Sequence, residues 1–558
     1  MPALEGGAPI PITTGGSGET EERPAVPVYV VSGAGPVIGQ RARRVVVVTS
    51  GPMEVGAAQP VYDMGASAIT DGDLALPVYV VPGGGELNPT VYLTTYYVRT
   101  NGNDGTGTGS SAAPWLTLSK AMTVAGAGDL VLVGDGTYAE NTSASGAWTI
   151  AKSVASNLTI QSESRDATKV IITGSSGASN TIFNTGASAF LVFKNLTFGM
   201  LAASSYALRF NANCTNLTFR NCIIDANGSA AALGGISHVS AAAVVASSVA
   251  FINCTTTTSG SGGYNGGVFF APTAAGTAAP TFVGCTLAGG MVLQNAGAGG
   301  TFNNCIISGA GRGVRTIAAG TIAITGGSIT GGTNCAIDAN GAAITVTNCL
   351  ITNNSATHAA MFGVDGTAGN ATTGSITNCT ILRSTSLAGH ALLIGAGCSN
   401  FLADTITAIQ AYDYAVVVKE CAGAIVRNCG LTGGSTVAAN AALYFKAATG
   451  ASATNNTLVT GANFGVRVLK GDTNNKCGTI TLTTNTITTT GTAVALDWGD
   501  STNDSGGGVC DFNSYNVHSS LIIGNVRLTA GITTLAGLQA AWSGYDVSGN
   551  DTHSTVTL

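Results

Sequence analysis

The sequence predicts an all-β protein: a single-stranded parallel β-helix of about twelve coils, preceded by an extended N-terminal β-arm. Three observations lead there: a recurring Asn-Cys pair, a composition rich in Gly and poor in charge, and a second, shorter repeat at the N-terminus.

Asn-Cys recurs in one setting, after a short apolar or β-branched run and before two or three more β-formers, as in Thr218-Phe219-Arg220-Asn221-Cys222-Ile223-Ile224 and Ile344-Thr345-Val346-Thr347-Asn348-Cys349-Leu350-Ile351. If Cys is allowed to become another small residue, Leu196, Cys222, Cys254, Cys285, Cys305, Ser328, Cys349, Cys379, Thr405, Cys429, Thr457 and Thr486 line up 20 to 32 residues apart. That is a solenoid period, and each repeat reads as one coil. Short β-runs with Gly, Asn and Ser at the corners suit a parallel β-helix, whereas the fixed Leu positions of leucine-rich repeats are missing.

Equivalent residues of successive coils stack about 4.8 Å apart, so inward positions become ladders of like side chains. Cys222, Cys254, Cys285, Cys305, Cys349, Cys379 and Cys429 are assigned to such a ladder. The Asn before all of these but Cys285, which follows Gly284, is placed at the corner, where it tolerates left-handed geometry and can bond the Asn of the next coil. Metal chemistry is the rival reading, but no C-x-x-C occurs and the spacing is that of coils. Thirteen cysteines, an odd number, read as buried free thiols of a protein made in a reducing cytosol.

The chain is 45% hydrophobic and only 9% charged, so Thr, Ser and Asn must carry its solubility. A net charge of −6 argues against nucleic acid, which calls for a basic stripe. No run of 18 apolar residues suggests a membrane span, and Met-Pro-Ala-Leu-Glu-Gly-Gly is no signal peptide.

Residues 1–90 form the arm. Units that start at Pro11, Pro27 (Pro27-Val28-Tyr29-Val30-Val31), Arg44, Pro60 (Pro60-Val61-Tyr62) and Pro77 (Pro77-Val78-Tyr79-Val80-Val81) begin 16 or 17 residues apart, each read as a short strand opened by Pro, Arg44 apart, and closed by Gly. Pro at a strand's first residue marks an edge, and such strands need a partner surface. Fully extended, 80 residues reach roughly 260 Å, enough to lie along another protein and add strands to it. Pro27, Val28, Tyr29, Val30, Pro60, Tyr62, Pro77 and Tyr79 are its expected anchoring residues. Residues 91–150 are read as the lead-in and N-terminal cap, 151–525 as the coils, and 526–558 as the C-terminal cap.

The segments Tyr96-Tyr97-Val98-Arg99-Thr100-Asn101-Gly102-Asn103-Asp104-Gly105, Ala113-Pro114-Trp115-Leu116-Thr117 and Gly128-Asp129-Leu130-Val131-Leu132-Val133-Gly134-Asp135-Gly136-Thr137-Tyr138 resemble the opening of right-handed parallel β-helix proteins of the pectin lyase-like superfamily. The resemblance implies a strand, a loop, a short capping helix after the Pro-aromatic-Thr segment, and then the first coil. Thr534-Leu535-Ala536-Gly537-Leu538-Gln539-Ala540-Ala541-Trp542 resembles the short closing helix of that family, and no further C-terminal domain is expected.

Enzymes of that superfamily cleave acidic polysaccharides with Ca²⁺ and a basic residue or with paired carboxylates, so several charges must converge. Here Asp338, Asp365, Asp404, Asp413 and Glu420 look scattered, and His238, His358 and His390 show no triad partners, so all are read as turn residues and no catalytic residue is assigned. One cluster stands out: Asp497, Trp498, Asp500, Asp504 and Asp511, in a Gly-rich excursion with Tyr515 and His518 close behind. Aromatics beside carboxylates can hold a sugar, and the acids could ligate Ca²⁺; the alternative is a solvated capping loop. No other cofactor and no structural metal is expected.

The Pro-Val-Tyr-Val-Val units resemble repeats of bacteriophage structural proteins. The implied protein is a virion surface component, a head-decoration, fibre or spike protein assembled in the host cytoplasm. Its arm would dock on capsid or tail proteins, and its solenoid, as a homotrimer of smooth faces, would project towards host glycans. A polysaccharide-degrading tailspike and a bacterial adhesin are the other two classes; the sparse acids count against the first and the missing export signal against the second.

Overall fold

A computed structural model describes most residues between Tyr92 and Thr557, leaving out residues 1–91 and short stretches between strands. The described residues belong to one compact unit, Tyr92–Leu558. The arm residues therefore lie outside the described part.

Among the described residues, this unit is built on two sheets, one of 33 strands and one of 16. Each full coil gives two short strands to the larger sheet and one to the smaller, as in Ala343–Thr347, Leu350–Asn353 and Ala360–Phe362. Strands pair in parallel with their equivalents one coil on; in the smaller sheet Gly524–Val526 meets Thr529–Ile532 antiparallel and ends it, while the larger sheet runs on in parallel to Thr555–Thr557. Parallel crossovers of this kind run right-handed, and the fold is a right-handed parallel β-helix. Its smaller sheet is taller than twelve coils, because it begins at Trp148–Ile150 and continues past Thr486, where no Asn-Cys marks the corner.

The two strands of the larger sheet are joined by a corner at which Asn221, Asn253, Asn304, Asn348, Asn378 and Asn428 take positive φ between 51° and 58°. Asn is among the few residues that enter this region readily. The side chain of Asn378 donates to that of Asn348, and Asn455 Nδ2 donates to Asn428 Oδ1 at 2.8 Å.

Beside these corners, all seven ladder cysteines are buried and free. The register corrects four other ladder positions: the column runs through Gly327, Ile406, Asn456 and Asn485, not Ser328, Thr405, Thr457 and Thr486. A slip of one residue turns a side chain to the opposite face of a strand; Ser328, Thr457 and Thr486 point outward, and Thr405 is itself a corner at φ 53°. The column ends in a buried amide chain. Asn456 Nδ2 donates to Asn485 Oδ1 at 2.9 Å, and Asn485 Nδ2 donates to Asn513 Oδ1 at 3.1 Å.

Aromatics fill the first half of the core. Phe193, Phe219, Phe251, Phe282 and Phe302 stack with centroids 5.1, 4.9, 4.7 and 5.0 Å apart. The N-terminal end is closed by buried Trp115 and the helix Leu118–Val124, whose N-cap is Thr117. Glu140 accepts from Leu118 N at 2.7 Å and Ser119 N at 3.0 Å, satisfying amides that a helix start leaves open. The expected closing helix is present as Leu535–Trp542, with Leu538 buried. Among the described residues, no helix is long and apolar enough to cross a membrane.

Candidate functional site

The smaller sheet has an inward and an outward face, because side chains alternate along each strand. Its outward positions form a column through Asp338, Met361, Leu393, Val417, Tyr444, Arg467 and Asp497, one per coil. Three residues earlier in the same strands lie Phe464 and Ala441; the equivalent places just ahead of the strands hold Tyr414, His390 and His358. Side chains distant in sequence thus meet through coil stacking alone.

The floor is apolar: Leu393, Val417, Ala441, Tyr444 and Leu469 are buried together, with Met361, Tyr414 and Phe464 packed against them. Along it runs a series of rings. His358 stacks on His390 at 4.6 Å, His390 meets Tyr414 edge-on at 5.2 Å, and Tyr414 stacks on Tyr444 at 4.9 Å. Arg467 continues the series, its guanidinium 5.8 Å from the Tyr444 centroid and 5.0 Å from that of Phe464. Its Nε donates to Asp497 Oδ2 at 2.8 Å.

A polar network borders the rings. Buried Arg383 and Gln410 both donate to Gly389 O, at 2.6 and 2.5 Å, and fix the turn ahead of His390. Gly389 N donates to Asp413 Oδ2 at 3.0 Å. That oxygen also lies 3.3 Å from His390 Nδ1. His390 N donates to His358 Nδ1 at 3.1 Å, which leaves the proton of a neutral His358 on Nε2, 3.6 Å from Asp365 Oδ2. Lys419 Nζ donates to Asp365 Oδ1 at 2.8 Å.

Burial lowers the pKa of His390, and Asp413 only partly offsets this. Burial would raise that of Asp413, but His390 and the Gly389 amide outweigh it and the net shift is downward. His358 and then Lys419 hold Asp365 well below the usual carboxylate range against a smaller effect of burial. At neutral pH the cluster therefore pairs a neutral imidazole with two ionised carboxylates. A neutral His390 protonated on Nδ1, facing Asp413, has Nε2 as a proton acceptor.

The residues singled out in the sequence are divided by the structure. Asp497 joins this face, on strand Val494–Trp498. Trp498 lies next to it but points inward, only 2% exposed, so it belongs to the core and offers no platform for a sugar. Asp511 sits on the larger sheet, where its carboxylate accepts from His553 N at 2.8 Å. Asp500, Asp504 and His518 lie outside the described residues, and Tyr515 is fully buried. Asp497 and Asp511 thus do not share one excursion: strand alternation and the turn between the sheets part them. Conversely, His358, His390, Asp365 and Asp413, read from sequence as separate turn residues, converge. The signal that could have found them is the 32-residue offset of the two histidines, one coil's length. Asp404 stays apart, paired with Arg427 Nη2 at 2.7 Å. Among the described residues, no group of three or more His, Cys, Asp or Glu is placed to hold a metal ion.

Residues 100–198 match the family described as protein of unknown function DUF1565. No curated protein matches the chain. Similar solved structures include pectate lyase Pel9A, 16% identical over 54% of this chain and 78% of the other, TM-score 0.37. The A-module of the Azotobacter vinelandii mannuronan C-5 epimerase AlgE4 is 11% identical, over 78% and 93% of the two chains, TM-score 0.31. Tailspike protein 3 of bacteriophage CBA120 is 12% identical, over 78% and 60%, TM-score 0.31. Scores this low carry nothing about the site, which stands on its own geometry.

Proposed function

We propose that this chain is a bacteriophage virion surface protein whose β-helix binds a host-surface glycan along the outer face of the smaller sheet. The observation that carries the binding reading is the ring series His358, His390, Tyr414 and Tyr444, continued by Arg467 and Asp497. An apolar floor flanked by a few fixed charges gives a sugar chain ring faces for its C–H groups and fixed partners for its hydroxyls. The virion part rests on the Pro-Val-Tyr-Val-Val units of residues 1–90, suited to strand addition on capsid or tail proteins. On this reading the particle is assembled in the host cytoplasm and carries the solenoids at its surface as trimers, three copies side by side.

A glycan array probed with the purified full chain tests the binding reading. Retention of host-surface oligosaccharides supports it, and an array blank at micromolar protein contradicts it. The virion reading is tested by deleting residues 1–90: the truncated chain is expected to fold and to be missing from purified particles.

A second reading, glycan cleavage, is favoured by one observation, His390 Nδ1 lying 3.3 Å from Asp413 Oδ2, where burial lowers the pKa of the imidazole. Release of reducing ends or unsaturated uronates from capsular polysaccharide would establish it.

A further inference from the structure

The second of the two strands that each coil gives to the larger sheet turns two side chains outward. Over eleven coils, from Thr255 and Thr257 to Ser514 and Asn516, their register is unbroken; one coil earlier the same positions hold Ile223 and Asp225, and the uncharged strip begins after them. None of the outward positions in the eleven coils holds Asp, Glu, Lys, Arg or His; Thr predominates, with Ser, Ile, Leu and Val. The other two faces differ. The smaller sheet presents Arg315, Asp338, Lys419, Arg467 and Asp497, and the neighbouring strands of the larger sheet present Asp404 and Arg427. On the uncharged strip, Ile306, Leu350 and Ile409 are exposed to 52%, 41% and 41%.

We infer that this strip is the surface through which one copy of the chain meets another. The inference deepens the proposal that solenoids stand side by side, and rests on it only for the number of copies. A flat strip of eleven coils at about 4.8 Å per coil is roughly 50 Å long, and three residues make it about 10 Å wide. Pairing would bury on the order of 1,000 Å² in total, the lower bound for a specific interface. A second copy is the occupant that fits. It offers the same rise per coil, so the ridges of one strip seat between those of the other along the whole length. It also brings no charge to a surface that has none to answer it, so no ion is desolvated.

The test uses the full-length protein at tens of micromolar in multi-angle light scattering, with Leu350→Lys/Thr407→Lys on the strip and Thr345→Lys on the adjacent face. The wild type and Thr345→Lys are expected to be oligomers and the double variant a monomer with an unchanged circular dichroism spectrum. Because the native cysteines are all buried, Leu350→Cys adds a single surface thiol, which a short bismaleimide is expected to join between copies. A monomeric wild type overturns both this inference and the side-by-side arrangement. An oligomer indifferent to the double variant, with Leu350→Cys uncrosslinked, overturns the strip alone.

Discussion

His390 is held against His358 twice, by ring stacking at 4.6 Å and by its main-chain N–H, which donates to His358 Nδ1 at 3.1 Å. Residues one coil apart share a hydrogen bond that fixes a tautomer, and each ring has an aspartate, Asp365 or Asp413, at its side. The first consequence concerns acid. The folded pKa of His390 is lowered, so the unfolded chain, with an ordinary His near 6.5, takes up the proton first. The stability due to a neutral His390 is therefore complete above about pH 6.5 and is lost as pH falls towards the folded value. Asp365 and Asp413, both lowered, lose their contributions only below the ordinary carboxylate value of about 4. The melting temperature is expected to fall between pH 7 and 5, and less in His390→Gln; equal falls in both proteins would contradict this.

The phenylalanine ladder should be costly to interrupt. Phe251 is fully buried between Phe219 and Phe282, with rings 4.9 and 4.7 Å away. Phe251→Ala removes a buried ring from a stack that cannot collapse along its axis, and about 3–5 kcal/mol of stability should go with it. Denaturant unfolding at equilibrium checks this; a loss below about 1 kcal/mol would mean that the coils repack.

The buried amide chain gives a sharper test of register. Asn485 donates to Asn513 Oδ1 and to Ala453 O, and accepts from Asn456. Asn485→Leu leaves its neighbours' polar groups unsatisfied in the core, at about 1–3 kcal/mol each. Thr486→Leu, one residue away on the outer face, should change stability by less than about 0.5 kcal/mol. Comparable losses from the two would contradict the register.

The thiols should be silent in the folded protein. All thirteen are buried and outside any disulfide; the Cys254 thiol raises Cys285 to about 12, and burial raises Cys429 to about 11. Titration with an aromatic disulfide at pH 8 is expected to read close to zero in buffer and thirteen equivalents in guanidinium. Rapid reaction of several thiols in buffer would show that the coils open.

The fold was legible because its marker does two physical jobs at once: Asn enters the left-handed corner and Cys fits the ladder behind it. Where the ladder position becomes Ile406, Asn456 or Asn485, the neighbouring Thr imitates the small residue and the reading slips by one. The site was hidden for a related reason. His358, Asp365, His390 and Asp413 meet only because each coil has its own length, which composition does not reveal. Asp497-Trp498-Gly499-Asp500 looks like a polar loop by content, yet strand alternation sends Trp498 into the core and Asp497 to Arg467.

The central claim, that the outer face of the smaller sheet holds glycan, is tested most directly by calorimetric titration of the host's surface polysaccharide into the wild type and Arg467→Ala. Arg467 is mostly shielded but touches Tyr444, Phe464 and Asp497, so its loss should weaken binding at least tenfold, about 1.4 kcal/mol, with the fold intact by circular dichroism. Equal affinity in the two folded proteins would contradict the account.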